Sequence, residues 1–257
     1  MFSISYKNLF FKKMVVWFAD RPYEVEKVHV LQFLATKQKY PIKSFQMKEA
    51  PTLVIDLSND LDAIWSKMGN RSCRYLIRRG EKAGIKIQRD FDLNYFLESY
   101  KSFTKEKGFA PSFKNPKEIP KANVILSAYL GEKILSSSLF IYDDQIFRWL
   151  ITWSVRMKAE KDLEFFIGCA NRMLIWESIK YAKEKGLRIF DLGGISNINT
   201  PTSPLYGIDS FKRIFGGKET VYWNYIKYYS KSYKVLKQVH NILKEKFKSL
   251  SFFTNTV

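Results

Sequence analysis

The chain has 257 residues, with 43 Lys and Arg against 25 Asp and Glu, for a formal net charge of +18. With 46% hydrophobic and 16% aromatic residues it can bury a substantial core, which excludes a disordered chain, a collagen-like repeat and a disulfide mini-scaffold. So large a positive excess directs attention to polyanionic partners: nucleic acid, an anionic membrane surface or a phosphate-bearing substrate.

The two cysteines, Cys73 and Cys169, stand far apart with no neighbouring Cys or paired His. Neither a disulfide framework nor a zinc site is indicated, and a reducing, cytoplasmic location is expected. Residues 1–20 mix apolar and basic side chains, but their longest apolar run is Met14 to Ala19 and no small-residue cleavage site follows. A membrane span needs roughly 18 to 20 apolar residues, so the sequence predicts neither a signal peptide nor a span.

Residues 1–50 have poor periodicity, a short apolar segment around Val15–Phe18 and a helix-compatible stretch, Glu24–Thr36. They read as an N-terminal extension packed on a main domain. Pro51 introduces TLVIDLS, a strand ending at Ser58 or Asn59, both good helix N-caps. Leu61, Ile64, Trp65 and Met68 then share one helical face. NRSCRYLIRRGEKAG predicts a basic helix ending near Gly84, followed by the strand IKIQR and a second amphipathic helix carrying Leu93, Phe96, Leu97, Tyr100 and Thr104, with Gly108 at its end. Between Asn123 and Trp153, three β-rich runs separated by Gly131-Glu132 and Asp143-Asp144 predict an antiparallel meander. A long helix over Asp162–Lys185 closes at Gly186; then come the strand RIFDL, a loop, a short helix around Gly207–Phe215 and the strand TVYWNYIKYY. Ile226, Tyr229, Tyr233, Leu236, Leu243, Phe247 and Leu250, with lysines around them, predict a basic amphipathic C-terminal helix. The order predicts an α+β fold: a mixed central sheet flanked by helices.

This element order, with DLGGISN and PLYGIDSFKRIFGG, resembles the FemABX family of aminoacyltransferases, which have the acyltransferase fold of the GNAT superfamily. The match lies in TLVIDLSNDLDAIWSKMGNRSCRYLIRRGEKAGIKI, in NRMLIWESIKYAKEKGLRIFDLGGI and in GIDSFKRIFGGK, which together span about residues 50–230. The resemblance implies a GNAT-like domain over residues 51–230, with residues 1–50 as an extension or remnant of a first such domain and residues 231–257 as the basic helix. Family members typically carry two tandem domains, and this chain has room for one plus the 50-residue piece.

The resemblance also implies amide-bond formation between an amino acid from aminoacyl-tRNA and an amine of a cell-envelope, peptidoglycan-type precursor, nucleotide- or lipid-linked. It assigns Phe211 and Lys212 to the transfer site, Lys212 stabilising charge and Phe211 shaping the aminoacyl channel. By residue type alone, Lys212 reads as an ordinary surface lysine on a short helix whose Phe211 and Phe215 pack inward, and it is the resemblance that assigns it to the site. Asp191 is a candidate general base, or a carboxylate that orients the following turn. Gly193 and Gly194 permit positive φ or close substrate passage, and Tyr206 is placed with them on the substrate side. Arg71, Arg74, Arg78 and Lys82 fall on one helical face with Arg79 beside them; they form a candidate phosphate site or a solvated charged face.

A CoA-dependent enzyme of this fold would carry a glycine-rich pyrophosphate loop before the long helix. Here that stretch, SVRMKAEKDLEFFIGCANRML, has Gly168 alone. This argues for no bound cofactor, with aminoacyl-tRNA as co-substrate. An N-acyltransferase using acyl-CoA or another thioester, and a non-catalytic basic module binding RNA or membrane, are the alternatives. No metal-ligand spacing, Ser-His-Asp arrangement or P-loop occurs, and His29 and His240 read as structural. The C-terminal helix either packs on the domain or rests on an anionic bilayer, which would put the protein at the inner face of the membrane. The charge is concentrated: residues 71–89 hold seven basic residues against one acid, and residues 211–257 hold ten against two.

Overall fold

The structure, a computed structural model, describes residues 1–8, 10–90, 92–196, 206–237 and 239. Its centre is one ten-stranded mixed sheet. In chain order the strands are β1 (Phe2–Asn8), β2 (Phe11–Trp17), β3 (Val30–Thr36), β4 (Gln46–Asp56), β5 (Ile85–Asp90), β6 (Asn123–Leu130), β7 (Lys133–Tyr142), β8 (Ile146–Ser154), β9 (Ile189–Gly194) and β10 (Lys218–Tyr228). Across the sheet they run β1-β2-β3-β10-β4-β9-β8-β7-β6-β5. The β2–β3 and β8–β9 pairs are parallel, and the other neighbours are antiparallel.

The helices are α1 (Leu61–Lys67), α2 (Tyr75–Lys82), α3 (Leu93–Glu106), α4 (Lys161–Glu184) and α5 (Tyr206–Arg213). Strand alternation decides which face each one covers. Val124, Leu126 and Ala128 of β6 pack with Ile77 of α2 and with Ile167, Leu174 and Ile175 of α4. Ile125, between them, turns to the other face and packs with Phe96, Leu97 and Tyr100 of α3. Helices therefore lie on both faces of a mixed sheet, the α+β arrangement expected from the element order.

The basic helix is interrupted. A π-helical turn, Asn70–Arg74, precedes α2, and the Gly69 carbonyl accepts from both the Cys73 and the Arg74 N–H, 2.9 and 3.0 Å. Gly84, at φ +80°, ends the segment as read from sequence.

Three expectations are corrected. The stretch Glu24–Thr36 is not a helix, because Val30–Thr36 is β3, held between β2 and β10. Val30, Leu31 and Phe33 are buried from both sides, and a short apolar run covered on both faces loses the alternation that marks a strand. The strand at Pro51 begins earlier, at Gln46, so Pro51 lies inside it. The Pro51 carbonyl accepts from Ile195 N–H, 2.9 Å, so its nitrogen also faces the β9 side. Thr52–Gly194 is the last β4–β9 pairing, and no N–H is required beyond it. Ile226 belongs to β10, paired with Gln32 and Gln46, and not to the C-terminal helix. Residues 231–237 are helical; residues 240–257, with Leu243, Phe247, Leu250 and His240, lie outside the described residues.

Candidate active site

The parallel strands β8 and β9 pair only from Ile146–Ile189 through Phe147–Phe190 to Arg148–Asp191, and then diverge. A buried ion pair, Arg148 with Asp191, closes the base of this opening. Asp191 is fully buried. Its Oδ1 accepts from the Thr52 hydroxyl and from Gly193 N–H, 2.8 Å, and its Oδ2 accepts from the Arg148 guanidinium. The carboxylate is thereby committed on both oxygens, and what it visibly does is fix the turn that follows.

Gly193 has φ +81°, a conformation that favours glycine, and a Cβ there would meet the Trp149 carbonyl at 3.0 Å and Lys212 Nζ at 3.4 Å. The turn presents the Gly194 carbonyl, which accepts from Lys212 Nζ at 2.6 Å. The ammonium also lies 5.6 Å from the centre of the Trp149 ring. Lys212 is buried, 9% exposed, and burial pushes its pKa down to about 8. The nearby charge of Arg148 adds to that, while Asp191 and Asp209 work against it.

Helix α5 is anchored at both ends. Asp209, buried, accepts from the Ser196 N–H, 3.0 Å, and from its hydroxyl. At the other end Phe215 is buried, and Gly216 approaches α1 so closely that a Cβ would lie 2.5 Å from the Lys67 carbonyl. Phe211 packs against Trp149 and Phe215, with ring centres 6.0 and 5.4 Å away, and the Arg172 guanidinium sits 5.2 Å over its ring. Beside the Gly193-Gly194 turn opens a cleft of about 520 Å³, lined by Arg148, Gly194, Ile195 and Ser196 together with Lys48, Glu49, Ala50, Pro51 and Asn224.

The structure brings Lys212, Phe211, Asp191, Gly193 and Gly194 together. Tyr206 is exposed at the start of α5. Arg71 and Arg74 lie in the π turn, whose preceding Gly69 donates its N–H to the Ile214 carbonyl, 2.8 Å, so this turn abuts the end of α5. Arg78, Arg79 and Lys82 are exposed on α2, and the first two lean over Trp65 and Phe165, at 5.7 and 5.9 Å. Sequence reasoning missed Arg148, Trp149, Asp209 and Arg172. The available signal for Arg148 was a lone cation in the apolar strand QIFRWLITW, since a charge in such a strand needs a partner.

At the N-terminus of α4, Glu160 is the cap residue and Asp162 and Glu164 occupy the first turn. A smaller hollow of about 290 Å³ lies there, lined by Leu130, Lys133, Glu160, Asp162, Leu163 and Phe166. Cys73 and Cys169 are buried free thiols. His29 Nδ1 accepts from Lys12 N–H, 2.9 Å, between strands.

No protein-family model matches the chain, and no curated protein matches it. Solved structures do. FemX superposes with a TM-score of 0.60 at 14% identity, over 82% of this chain and 75% of that one. The chain has the FemX fold. The C-terminal domain of a protein named as a lysylphosphatidylglycerol synthetase from Agrobacterium fabrum superposes with a TM-score of 0.51 at 12% identity, over 81% and 70% of the two chains. L-PGS from Bacillus licheniformis gives 0.50 at 15% identity, over 82% and 71%. The FemX fold is thus common to all three comparisons, and its mixed sheet flanked by helices is the α+β arrangement expected from the sequence.

Proposed function

We propose that the chain is an aminoacyltransferase that joins an amino acid carried by aminoacyl-tRNA to an amine of a cell-envelope precursor. The observation that carries this reading is the buried Lys212 ammonium, fixed by the Gly194 carbonyl at the opening between β8 and β9. The acceptor amine attacks the ester carbonyl, a carbon–nitrogen bond forms, and negative charge develops on the carbonyl oxygen. A pre-positioned ammonium in a water-poor site stabilises that charge, and electrostatic help of this kind is worth about 10²–10³ in rate. When the carbon–oxygen bond breaks, the ribose oxygen leaves and takes up the proton that the attacking amine gives up. With a pKa of about 8, Lys212 is suited to pass that proton near neutral pH. Asp191 and Asp209 are occupied by their hydrogen bonds and serve as anchors.

Two further features support the reading. Glu160, Asp162 and Glu164 place negative charge where a diphosphate would need the N-terminus of α4, which disfavours an acyl-CoA donor. An open cleft beside the turn favours an enzyme over a closed binding module. The name of one structural neighbour, a lysylphosphatidylglycerol synthetase, couples an amino acid to a membrane lipid, which supports envelope chemistry with a lipid-linked acceptor; a nucleotide-linked acceptor is what the sequence resemblance implies. No helix among the described residues is long and apolar enough to cross a membrane. Val235, Leu236 and Val239 are exposed beside Lys231, Lys234 and Lys237, a composition suited to contact with an anionic bilayer.

The test is to supply purified protein with labelled aminoacyl-tRNA mixtures or with acetyl-CoA, each together with nucleotide-linked and lipid-linked muropeptides. A tRNA-dependent amide product is expected. Robust acetylation without such a product would overturn the reading.

A further inference from the structure

Arg172 of α4 is a half-buried cation that pairs with no acid among the described residues. Its Nε donates to the Ser72 carbonyl, 2.5 Å, and its Nη1 to the Gly168 carbonyl, 2.8 Å, which pins the guanidinium between the π turn and α4. From there it covers Phe211, the neighbour of Lys212. Arg74 belongs to the same π turn as Ser72, and among the described residues its buried Nε has no hydrogen-bond partner. Among the described residues, neither Arg74 nor Arg172 forms an ion pair with a carboxylate. A desolvated guanidinium with no counter-charge has lost hydration, and an anion bound to it offsets that cost.

We propose that Arg172 and Arg74 bind a backbone phosphate near the 3′ end of the RNA donor, beside Phe211. The inference rests on the aminoacyl-tRNA reading above and adds the direction from which the donor arrives. Lys212 sits between two approaches. Its carbonyl partner, Gly194, lines the cleft that holds Arg148 and Lys48, while its neighbour Phe211 lies beneath Arg172 on the α4 side. The donor then enters over α4 and the acceptor through the cleft, and the two meet at Lys212. Arginine forks suit phosphate oxygens, and each such contact adds salt dependence to RNA binding.

Binding of a short RNA hairpin with an unpaired 3′ end is compared with that of the same hairpin carrying uncharged methylphosphonate linkages in its unpaired end. Arg172→Gln and Arg74→Gln are each expected to weaken the natural RNA about tenfold and to lower the salt slope by about one. Wild type should bind the uncharged RNA equally weakly, and neither variant should lose more on it. Arg172→Gln also removes two carbonyl bonds, so Arg74→Gln and matched thermal melts separate a phosphate contact from a folding defect. Unchanged affinity in both variants, or equal losses on both RNAs, would overturn the site. So would a nucleotide-linked muropeptide that displaces RNA from wild type and loses its own affinity in Arg172→Gln, because the arginines would then serve the acceptor. These outcomes leave tRNA-dependent transfer standing where it is observed; absence of RNA binding by wild type overturns both the site and the donor.

Discussion

Lys212 enters the fold on a helix of two turns, and its ammonium is buried there against the cost of desolvation, with one carbonyl and one indole face as its nearest partners. Because burial holds its pKa at about 8 in the folded chain, against an ordinary lysine value of 10.5, the unfolded chain binds more protons between those two values. Raising the pH through that window therefore stabilises the fold, by up to about 3 kcal/mol. Urea unfolding of wild type and Lys212→Met across this range should show a steeper rise for wild type, and identical slopes would contradict a buried lysine. The Phe-Lys pair and the two glycines were legible as residues because they are adjacent in sequence. Arg148, Trp149 and Arg172 were not, since strand pairing and helix packing bring them to the site from far along the chain.

Among the elements, α5 owes its position to contacts at its ends more than to its own propensity, for a helix this short is marginal alone. Asp209 ties its start to Ser196, and Gly216 lets the chain pass against the end of α1. At Gly216, φ is +74° and the space for a Cβ is already filled by Lys67 backbone atoms. Gly216→Ala should cost more than about 2 kcal/mol in urea unfolding. A loss below about 0.5 kcal/mol would show that the close approach is not rigid. Element type was legible wherever caps and periodicity agreed, as at Gly84, Gly108 and Gly186, which all take positive φ after a helix or helical turn. It failed for Val30–Thr36, where neighbours on both faces conceal the alternation, and for Ile226, where a strand and a helical heptad place the same apolar residues.

Taken whole, the molecule builds its sheet from both ends of the chain. β3 covers one edge of β10, and β4 covers the other, so the N-terminal strands complete the strand that follows α5. Val16, Leu31 and Phe33 are buried there with Tyr225. Removing residues 1–45 should uncover this cluster and leave an insoluble chain or one without a cooperative melt. A soluble fragment melting like the intact chain would show that residues 1–50 are a separable addition. Charge density was readable from composition. Its placement beside Phe211 was not, since Arg172 lies outside the two basic stretches that stand out in the sequence.

The central claim is that Lys212 supports amide formation from an aminoacyl ester. Its most direct measurement is the rate of tRNA-dependent product formed by wild type and Lys212→Ala, with folding matched by circular dichroism. We expect product with wild type and a loss of about 10²–10³ in rate with Lys212→Ala. Equal rates, or product from a thioester alone, would contradict it.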